Sequence, residues 1–367
     1  MDAARRLLAR LAARPRPAGS AAEREAREHC AGALRALGFH VAEEPFVYSA
    51  APGRLGTPLG GLASMLMVGA AAYAGARGAA GTALGILAVG GSALALAARW
   101  LATRGVLALP WWRERGTNLV ATRGEPSLWL VAHLDSKSQP VPIALRALGV
   151  MGTLLVWGVA LVVALAQLLA AGGGAGPGAE LAAAWPWIAA AAAAAGAPVA
   201  ASVVRARSPG AVDDASGVAT VLGVAAALPA ARALGVLLTS AEELGLAGAR
   251  AWARGRAGGT AINVDGVDDA GAVRLTWTRR APVPLMTALL HAARSERLRA
   301  STGRLPPGVL VDGVALADRG WSVVTVSRGS WRTVARVHTP RDAVTATTGA
   351  GIPDVVRTIA RALDEAR

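Results

Sequence analysis

Four stretches of the chain run for about twenty residues or more without an acidic or basic side chain, the length that a membrane-spanning helix requires. They cover residues 56–76, 78–98, 147–171 and 181–204. All four are rich in glycine and alanine, which let helices pack closely in lipid. Apolar residues make up 53% of the chain and charged residues only 17%, a balance typical of membrane proteins. The sequence therefore predicts four transmembrane helices.

The four stretches form two pairs, each joined by a short glycine-rich segment. We predict two hairpins, residues 56–98 and 147–204, which each return to the side where they began. The arginines flanking the spans on that side are Arg54, Arg99, Arg104, Arg113, Arg115, Arg146, Arg205 and Arg207. The hairpin tips offer only Arg77. By the positive-inside rule, the polar part of this multi-pass protein faces the cytoplasm.

The charge balance indicates which partners to expect. The formal net charge is +14, and basic flanks beside apolar spans suit an anionic lipid bilayer. No basic motif with interleaved aromatic residues is present, so we expect no nucleic acid partner. Arginines interrupt residues 1–20, which predicts an amphipathic helix rather than a secretory signal. The single cysteine, Cys30, excludes an intramolecular disulfide and a cysteine-rich zinc site.

The segments outside the hairpins, residues 1–54, 101–146 and 205–367, together predict one discontinuous domain. Short apolar runs read as strands, and they are "FHVAEEPFVY", "TNLVAT", "SLWLVAHLD", "LGVLLTS", "GTAINVD", "VRLTWT" and "WSVVTVS". Helical patterns cover residues 21–37, 217–229, 246–254, 282–299 and 352–365. Continuous apolar runs are typical of strands buried on both faces. This alternation predicts an α/β sandwich around a largely parallel or mixed sheet.

Metal-binding residue types follow several of the predicted strands and two of the loops. In chain order they are His133, Asp135, Asp213, Asp214, Glu242, Glu243, Asp265, His338 and Asp342. Active sites of open α/β sheets collect beyond the carboxyl ends of the strands, so we expect these side chains to converge. Nitrogen and oxygen ligands without a thiolate favour zinc, and manganese or cobalt is also compatible.

The adjacent glutamates Glu242 and Glu243 end an apolar run in a chain that is poor in acids. Successive side chains of an extended segment point to opposite sides, so one could bind a metal while the other moves a proton. The alternative for any one of these residues is structural. Acids favour the first turn of a helix, and an Asp-Asp pair before a helix is usually a cap.

Together the motifs resemble a known family, the zinc aminopeptidases of peptidase family M28. The segments that carry the resemblance are "RPAGS", "AHLDS", "GAVDDASG", "AEELGLAG", "NVDG", "VDGVALADRGWSVV" and "VHTPRD". The resemblance implies a three-layer α/β/α sandwich with a central mixed sheet. It also implies two zinc ions and the removal of N-terminal residues from peptides.

The resemblance assigns a role to each of the candidate residues. Asp213 is similar to the carboxylate that bridges the two metals. The resemblance further implies that His133 and Glu243 bind one metal, and that Asp265 and His338 bind the other. Glu242 corresponds to the general base that takes a proton from a metal-activated water. Asp135 corresponds to the carboxylate that accepts the second ring proton of His133.

Two alternatives stay open. The segment "HLDSK", with Lys137, is also similar to the glutaminyl cyclases, which are single-zinc acyltransferases of the same fold type. A catalytically inactive family member that acts as a binding protein is the other alternative. The complete set of candidate ligands favours the two-metal hydrolase over both.

Overall fold

The computed structural model describes residues 3–172 and 178–365. The chain divides into two compact units. The polar unit comprises Met1–Ala50, Val106–Ser138 and Arg205–Arg367, and the apolar unit comprises Ala51–Gly105 and Gln139–Val204. The predicted turn of the second hairpin includes residues 173–177, which lie outside the described residues.

The helices are numbered in chain order. They are α1 Ala3–Leu11, α2 Ala21–Ala36, α3 Ala51–Ala76, α4 Ala80–Trp100, α5 Val106–Ala108, α6 Ile143–Gly172, α7 Gly178–Ala200, α8 Gly217–Ala227, α9 Ala247–Trp252, α10 Val283–Ser295, α11 Asp312–Ala317, α12 Trp331–Arg336 and α13 Ile352–Glu365. Leu101–Gly105 and Ala211–Ser216 form additional short helical turns.

The strands of the described residues form one sheet in the order β1-β2-β4-β3-β5-β8-β6-β7. They are β1 His40–Ser49, β2 Arg113–Arg123, β3 Leu128–His133, β4 Leu234–Thr239, β5 Thr260–Val267, β6 Ala272–Trp277, β7 Ala300–Arg304 and β8 Ser322–Gly329. Neighbours among β4, β3, β5 and β8 are parallel, whereas β1-β2, β2-β4 and β6-β8 are antiparallel. The predicted mixed sheet is confirmed.

Alternate strand residues point to opposite faces of the sheet. Both faces carry buried apolar side chains, and helices cover both. On one face, Leu130 and Val236 belong to a core shared with α1, α2, α8, α10 and α13. On the other face, Val131 and Leu237 pack with Trp252 of α9 and with residues of α11 and β8. The three-layer α/β/α sandwich is therefore confirmed.

The edge strands differ from the buried centre of the sheet. The strand β7, with the sequence "ASTGR", is short, polar and mostly exposed, so its apolar pattern was too weak for us to predict it. At the other edge, β1 contains Pro45, which has no backbone N–H to donate. The neighbouring residues Glu43 and Glu44 form ion pairs with Arg27 and Arg256.

The apolar unit contains the four predicted apolar helices, α3, α4, α6 and α7. Among the described residues, these four are long and apolar enough to cross a membrane. A buried polar network joins three of them. Gln167 of α6 donates to the carbonyl oxygen of Gly75 at 2.9 Å and accepts from the indole nitrogen of Trp185 at 2.9 Å. Burial without partners would be costly for these groups, so the network fixes how the helices face one another.

We expect Gly75→Ala to lower the free energy of unfolding by about 1–3 kcal/mol, the usual cost of overpacking. The reason is that a Cβ on Gly75 would overlap the indole ring of Trp185. Gly69→Ala is the matched control, because Gly69 lies in the same helix and a Cβ there meets nothing within 4 Å. Thermal unfolding of the detergent-solubilised protein measures both variants. Equal melting temperatures would contradict the packing of α3 against α7.

Candidate metal centre

The candidate residues lie where the parallel strands of the polar unit end. His133 is the last residue of β3, and Glu242 and Glu243 follow β4. Asp265 lies near the end of β5. Because the carboxyl ends of parallel strands meet at one edge of the sheet, these side chains converge there. Loops before α8 and after α12 bring Asp213 and His338 to the same edge.

Six of these side chains form two groups that could each hold a metal ion. One group is His133, Glu242 and Asp265, and the other is Asp213, Glu243 and His338. In each group, one ligand atom per residue lies within 4.8 Å of the others. The structure therefore brings together all five residues that the sequence suggested as ligands, with the suggested base beside them.

Asp213 lies between the two histidines. Its Oδ1 is 2.9 Å from Nε2 of His133, and its Oδ2 is 2.9 Å from Nε2 of His338. Each carboxylate oxygen thus faces a different histidine. Asp213 is therefore placed where one carboxylate could be shared by two cations. Asp213 itself has non-helical backbone angles, φ −113° and ψ 89°, inside the Ala211–Ser216 turn.

The two groups pair the candidate ligands differently from the assignment made by resemblance. That assignment placed Glu243 with His133 and Asp265 with His338. In the structure Glu243 Oε1 is 3.3 Å from Nε2 of His338, while Asp265 groups with His133. β3 lies between the parallel strands β4 and β5, so Asp265 lies on one side of His133, and Glu243 follows the strand on the other side, where the loop after α12 brings His338 to it.

The tautomer of His133 follows from its surroundings. Its Nδ1 is 3.0 Å from the backbone carbonyl oxygen of Asp135, which can only accept a hydrogen bond, so Nδ1 carries a proton. Its Nε2 lies 2.9 Å from Oδ1 of Asp213, to which it donates when the ring carries a second proton; a bound cation would instead take the lone pair of Nε2. The Asp135 carboxylate oxygen Oδ1 is farther from Nδ1, at 3.6 Å. The expected ring contact with Asp135 thus involves its carbonyl group.

The Asp135 carboxylate instead holds the two glutamates. Its Oδ1 accepts the backbone N–H of Glu242 at 3.1 Å, and its Oδ2 accepts that of Glu243 at 3.2 Å. The carboxylate of Asp342 likewise holds the backbone of the loop before α8. It accepts the N–H groups of Val212 at 2.7 Å and Asp213 at 3.1 Å. Buried carboxylates therefore fix the backbone on which the candidate ligands stand.

Asp214 connects three segments of the site. Its carboxylate accepts the backbone N–H groups of His133 at 3.2 Å, Gly266 at 3.1 Å and Gly217 at 3.0 Å. These residues belong to β3, β5 and α8. Asp214 was named from the sequence among the metal-binding residue types and as part of an Asp-Asp pair that could cap a helix. Its position directly after Asp213 was the available signal for a supporting role.

The acidic side chains of the centre differ in pKa. Burial raises the pKa of Glu242 well above its ordinary value, and burial together with the charge of Asp213 raises that of Asp265 to about 7. Burial also acts to raise the pKa of Asp213, but hydrogen bonds from His133 and His338 hold it well below the usual range. Protons are thus distributed unevenly among neighbouring carboxylates.

The donor set fits divalent cations. Carboxylates outnumber the nearby cationic side chains in the centre. The carboxylates are Asp135, Asp213, Asp214, Glu242, Glu243, Asp265, Asp312 and Asp342. Within the described residues, Oε1 of Glu243 makes no hydrogen bond, and Nε2 of His338 lies 3.3 Å from it. Buried carboxylates in excess of the cationic groups around them are costly, so cations among these atoms would stabilise the centre. Nitrogen and oxygen donors of this kind suit zinc.

Lys137, the last residue of the "HLDSK" motif, forms an ion pair with a candidate ligand. Its Nζ is 2.5 Å from Oε2 of Glu243, and 18% of its side chain is exposed. Burial acts to raise the pKa of Glu243, but the charge of Lys137 lowers it to about 2. A fixed positive charge therefore lies beside the group that contains His338.

A second network positions the segment that carries His338. The buried carboxylate of Asp268, just after β5, accepts hydrogen bonds from Thr333 Oγ1 at 2.5 Å and from Arg336 Nη2 at 2.6 Å. Both donors belong to α12, which ends two residues before His338. The loop that follows Asp265 thereby holds the helix that presents the other histidine. Sequence reasoning missed Asp268, although it lies three residues after a candidate ligand.

The mixed eight-stranded sheet with helices on both faces is an α/β fold like that of the zinc aminopeptidases. Residues 197–363 match the sequence model of Peptidase family M28. The resemblance to this family is therefore confirmed. No curated protein matches the chain.

Solved structures share the fold at low sequence identity. The aminopeptidase from Aneurinibacillus sp. strain AM-1 is 14% identical, with a TM-score of 0.56 over 99% of this chain and 93% of that chain. A zinc aminopeptidase from Bacillus subtilis is 14% identical, with a TM-score of 0.56 over 99% and 94%. A glutaminyl cyclase from Porphyromonas gingivalis is 16% identical, with a TM-score of 0.55 over 99% and 97%.

Proposed function

We propose that the protein is a membrane-bound metallopeptidase, an aminopeptidase that binds two zinc ions and removes N-terminal residues from peptides. The observation that carries this proposal is the position of Asp213, whose two carboxylate oxygens each lie 2.9 Å from a different histidine. In this assignment His133, Asp213 and Asp265 hold one ion, and Asp213, Glu243 and His338 hold the other. Manganese or cobalt would suit the same donors.

Bound zinc would supply Lewis acidity, polarising the peptide carbonyl and making a water molecule more acidic. Glu242 would take the proton from that water and deliver it to the leaving amine. Glu242 is free to act as the base in this assignment, because Asp213 supplies the third protein ligand beside His133 and Asp265. Its position is set by the backbone hydrogen bond to Asp135. Asp135 therefore supports the reaction by orienting Glu242, and also by fixing the ring of His133.

A glutaminyl-cyclase-like activity with a single zinc is the second candidate. The contact of Lys137 with Glu243 favours it, because the ammonium group supplies a positive charge where a second ion would otherwise do so. The similarity in fold to the glutaminyl cyclase from Porphyromonas gingivalis agrees with this alternative. An inactive binding protein is the third candidate, and the complete set of ligand residues speaks against it.

We expect Glu242→Gln to lower kcat at least ~100-fold, the lower end of the usual contribution of a general base. Metal content should stay near that of the wild type, because the amide keeps the shape of the side chain and the other donors remain. Steady-state hydrolysis of an N-terminal peptide substrate and metal analysis of the purified protein measure the two quantities.

Glu125→Gln is the matched control, since Glu125 is exposed in the loop after β2. It should leave both quantities unchanged. A Glu242→Gln protein with wild-type turnover would remove Glu242 as the base. A variant that loses an ion would instead make Glu242 a ligand, consistent with its place beside His133 and Asp265.

We expect chelator-treated protein to be inactive and to regain aminopeptidase activity as it takes up about two zinc ions per chain. Metal titration with parallel assays of N-terminal residue release and pyroglutamate formation separates the candidates. One ion with pyroglutamate formation would identify a cyclase. Failure to bind zinc at all would leave the inactive binding protein as the remaining candidate.

We further propose that the hairpins 56–98 and 147–204 span a lipid bilayer, and that the discontinuous domain of residues 1–54, 101–146 and 205–367 is the peptidase domain. The four helices long and apolar enough to cross a membrane support this organisation. The arginine distribution favours a cytoplasmic peptidase domain.

Cysteine labelling tests the orientation with little background. The natural Cys30 is fully buried, and burial raises its pKa to about 12, so it should not react. In spheroplasts, an impermeant maleimide should label Ala79→Cys, at the tip of the first hairpin. The matched variant Ala230→Cys, on an exposed turn of the polar unit, should react only after permeabilisation. The reverse pattern would place the peptidase domain outside.

A further inference from the structure

Arg16 lies between two prolines in the segment after α1, and only 2% of its surface is exposed. A buried guanidinium group is costly unless its donors are satisfied. Within the described residues, the hydrogen bonds of its side chain all go to backbone carbonyl oxygens. Such a group is unusual enough to require an explanation beyond packing.

The guanidinium group contacts three separate segments. Nε donates to the carbonyl of Leu134 at 2.9 Å, Nη1 to that of Pro209 at 2.7 Å, and Nη2 to that of Gly210 at 3.2 Å. Nη1 also donates to the carbonyl of Leu11 at the end of α1. The planar fork of arginine, with donors in fixed directions, suits this set of acceptors.

The backbone of Arg16 makes a second set of contacts with one of these segments. Its N–H donates to Ser136 Oγ at 3.0 Å, and its carbonyl accepts the N–H of Ser136 at 2.9 Å. Ser136 Oγ in turn donates to the carbonyl of Ser208 at 3.0 Å. Gly210 has φ 63°, and a Cβ there would lie 2.7 Å from Cβ of Ser136, so the two segments are in close contact.

The segments joined in this way carry the central residues of the candidate site. Leu134 lies between His133 and Asp135, and Gly210 lies three residues before Asp213. His133 and Asp213 are the residues whose side chains face each other at 2.9 Å. Burial lowers the pKa of Arg16, and the negative charges of Asp214 and Asp135 act against this lowering.

We propose that Arg16 is a positioning residue that clasps the loop after β3 to the loop before α8 and thereby sets the spacing between His133 and Asp213. Arg16 does not touch the reacting atoms. Its effect on zinc binding and turnover rests on the proposed function, whereas its effect on the two loops does not.

The test compares Arg16→Lys with Arg14→Lys. Lysine keeps the positive charge but has at most three donors at one point and cannot reproduce the fork. Arg14 is the matched control because it lies two residues away and is exposed, with 55% of its side chain accessible beside Glu25. Arg16→Gln, which removes the charge and keeps two donors, is the second variant if the first does not fold.

Hydrogen exchange of the metal-free protein is the first measurement. Arg16→Lys should speed exchange at least ~10-fold in residues 131–138 and 206–214 and leave β6 and β8 unchanged, whereas Arg14→Lys should match the wild type. The second measurement is zinc affinity, where Arg16→Lys should weaken binding at least ~10-fold, within the range found for residues that orient ligands. The variant should lower kcat with KM changed less than about twofold, because only the site geometry is altered.

Exchange and zinc affinity equal to those of Arg14→Lys would overturn the proposal. A uniform increase of exchange across the whole sheet would also overturn it, since it would make Arg16 a general stabilising residue. If the wild-type protein bound no zinc, the proposed function would fail, and the exchange of the two loops would still decide whether Arg16 is the clasp.

Discussion

The high density of buried carboxylates at one edge of the sheet is the constraint on which the rest of the structure depends. Each carboxylate removed from water must be neutralised, hydrogen-bonded or paired with a cation. Asp135, Asp214 and Asp342 are satisfied by backbone N–H groups. Glu243 and Asp213 instead face histidine nitrogens and the ammonium group of Lys137. The centre is therefore divided into acids that hold the backbone and acids that are directed toward cations.

The candidate ligands come from several loops as well as from strand ends. A parallel arrangement of β4, β3 and β5 places three strand ends together, but strand ends alone supply only part of the donor set. The remaining donors, Asp213 and His338, stand on loops that need their own anchors. Asp342 holds the first loop, and Asp268 holds the helix before the second. Supporting contacts of this kind hold candidate ligand side chains in a defined geometry.

Much of the fold followed from residue patterns because its central elements are long and strongly periodic. Continuous apolar runs such as "LGVLLTS" have the length and composition of buried strands. Uncharged stretches of about twenty residues have the length of membrane-spanning helices. The short helices α11 and α12 and the polar strand β7 gave no such signal. Their existence depends on tertiary contacts, such as that of Asp268 with Thr333, which local sequence does not encode.

A similar share of the candidate site could be predicted from the sequence. Residue type and strand-end position identified His133, Glu242, Glu243 and Asp265 as neighbours. The grouping of Glu243 with His338 was not accessible, because it depends on which strands are adjacent and how a distant loop folds back. The contacts of Arg16 were hidden for the same reason, since all its side-chain acceptors are backbone carbonyls whose position only the folded chain defines.

The two outer strands of the sheet have a consequence for behaviour at high concentration. An open sheet edge offers unpaired backbone groups to which another chain can add as a further strand. Here one edge is short and polar, and the other is interrupted by Pro45, which directly follows Glu43 and Glu44. Both features discourage intermolecular β-pairing. They would help the protein to avoid fibrillar aggregation while it is crowded on a surface or folding during synthesis.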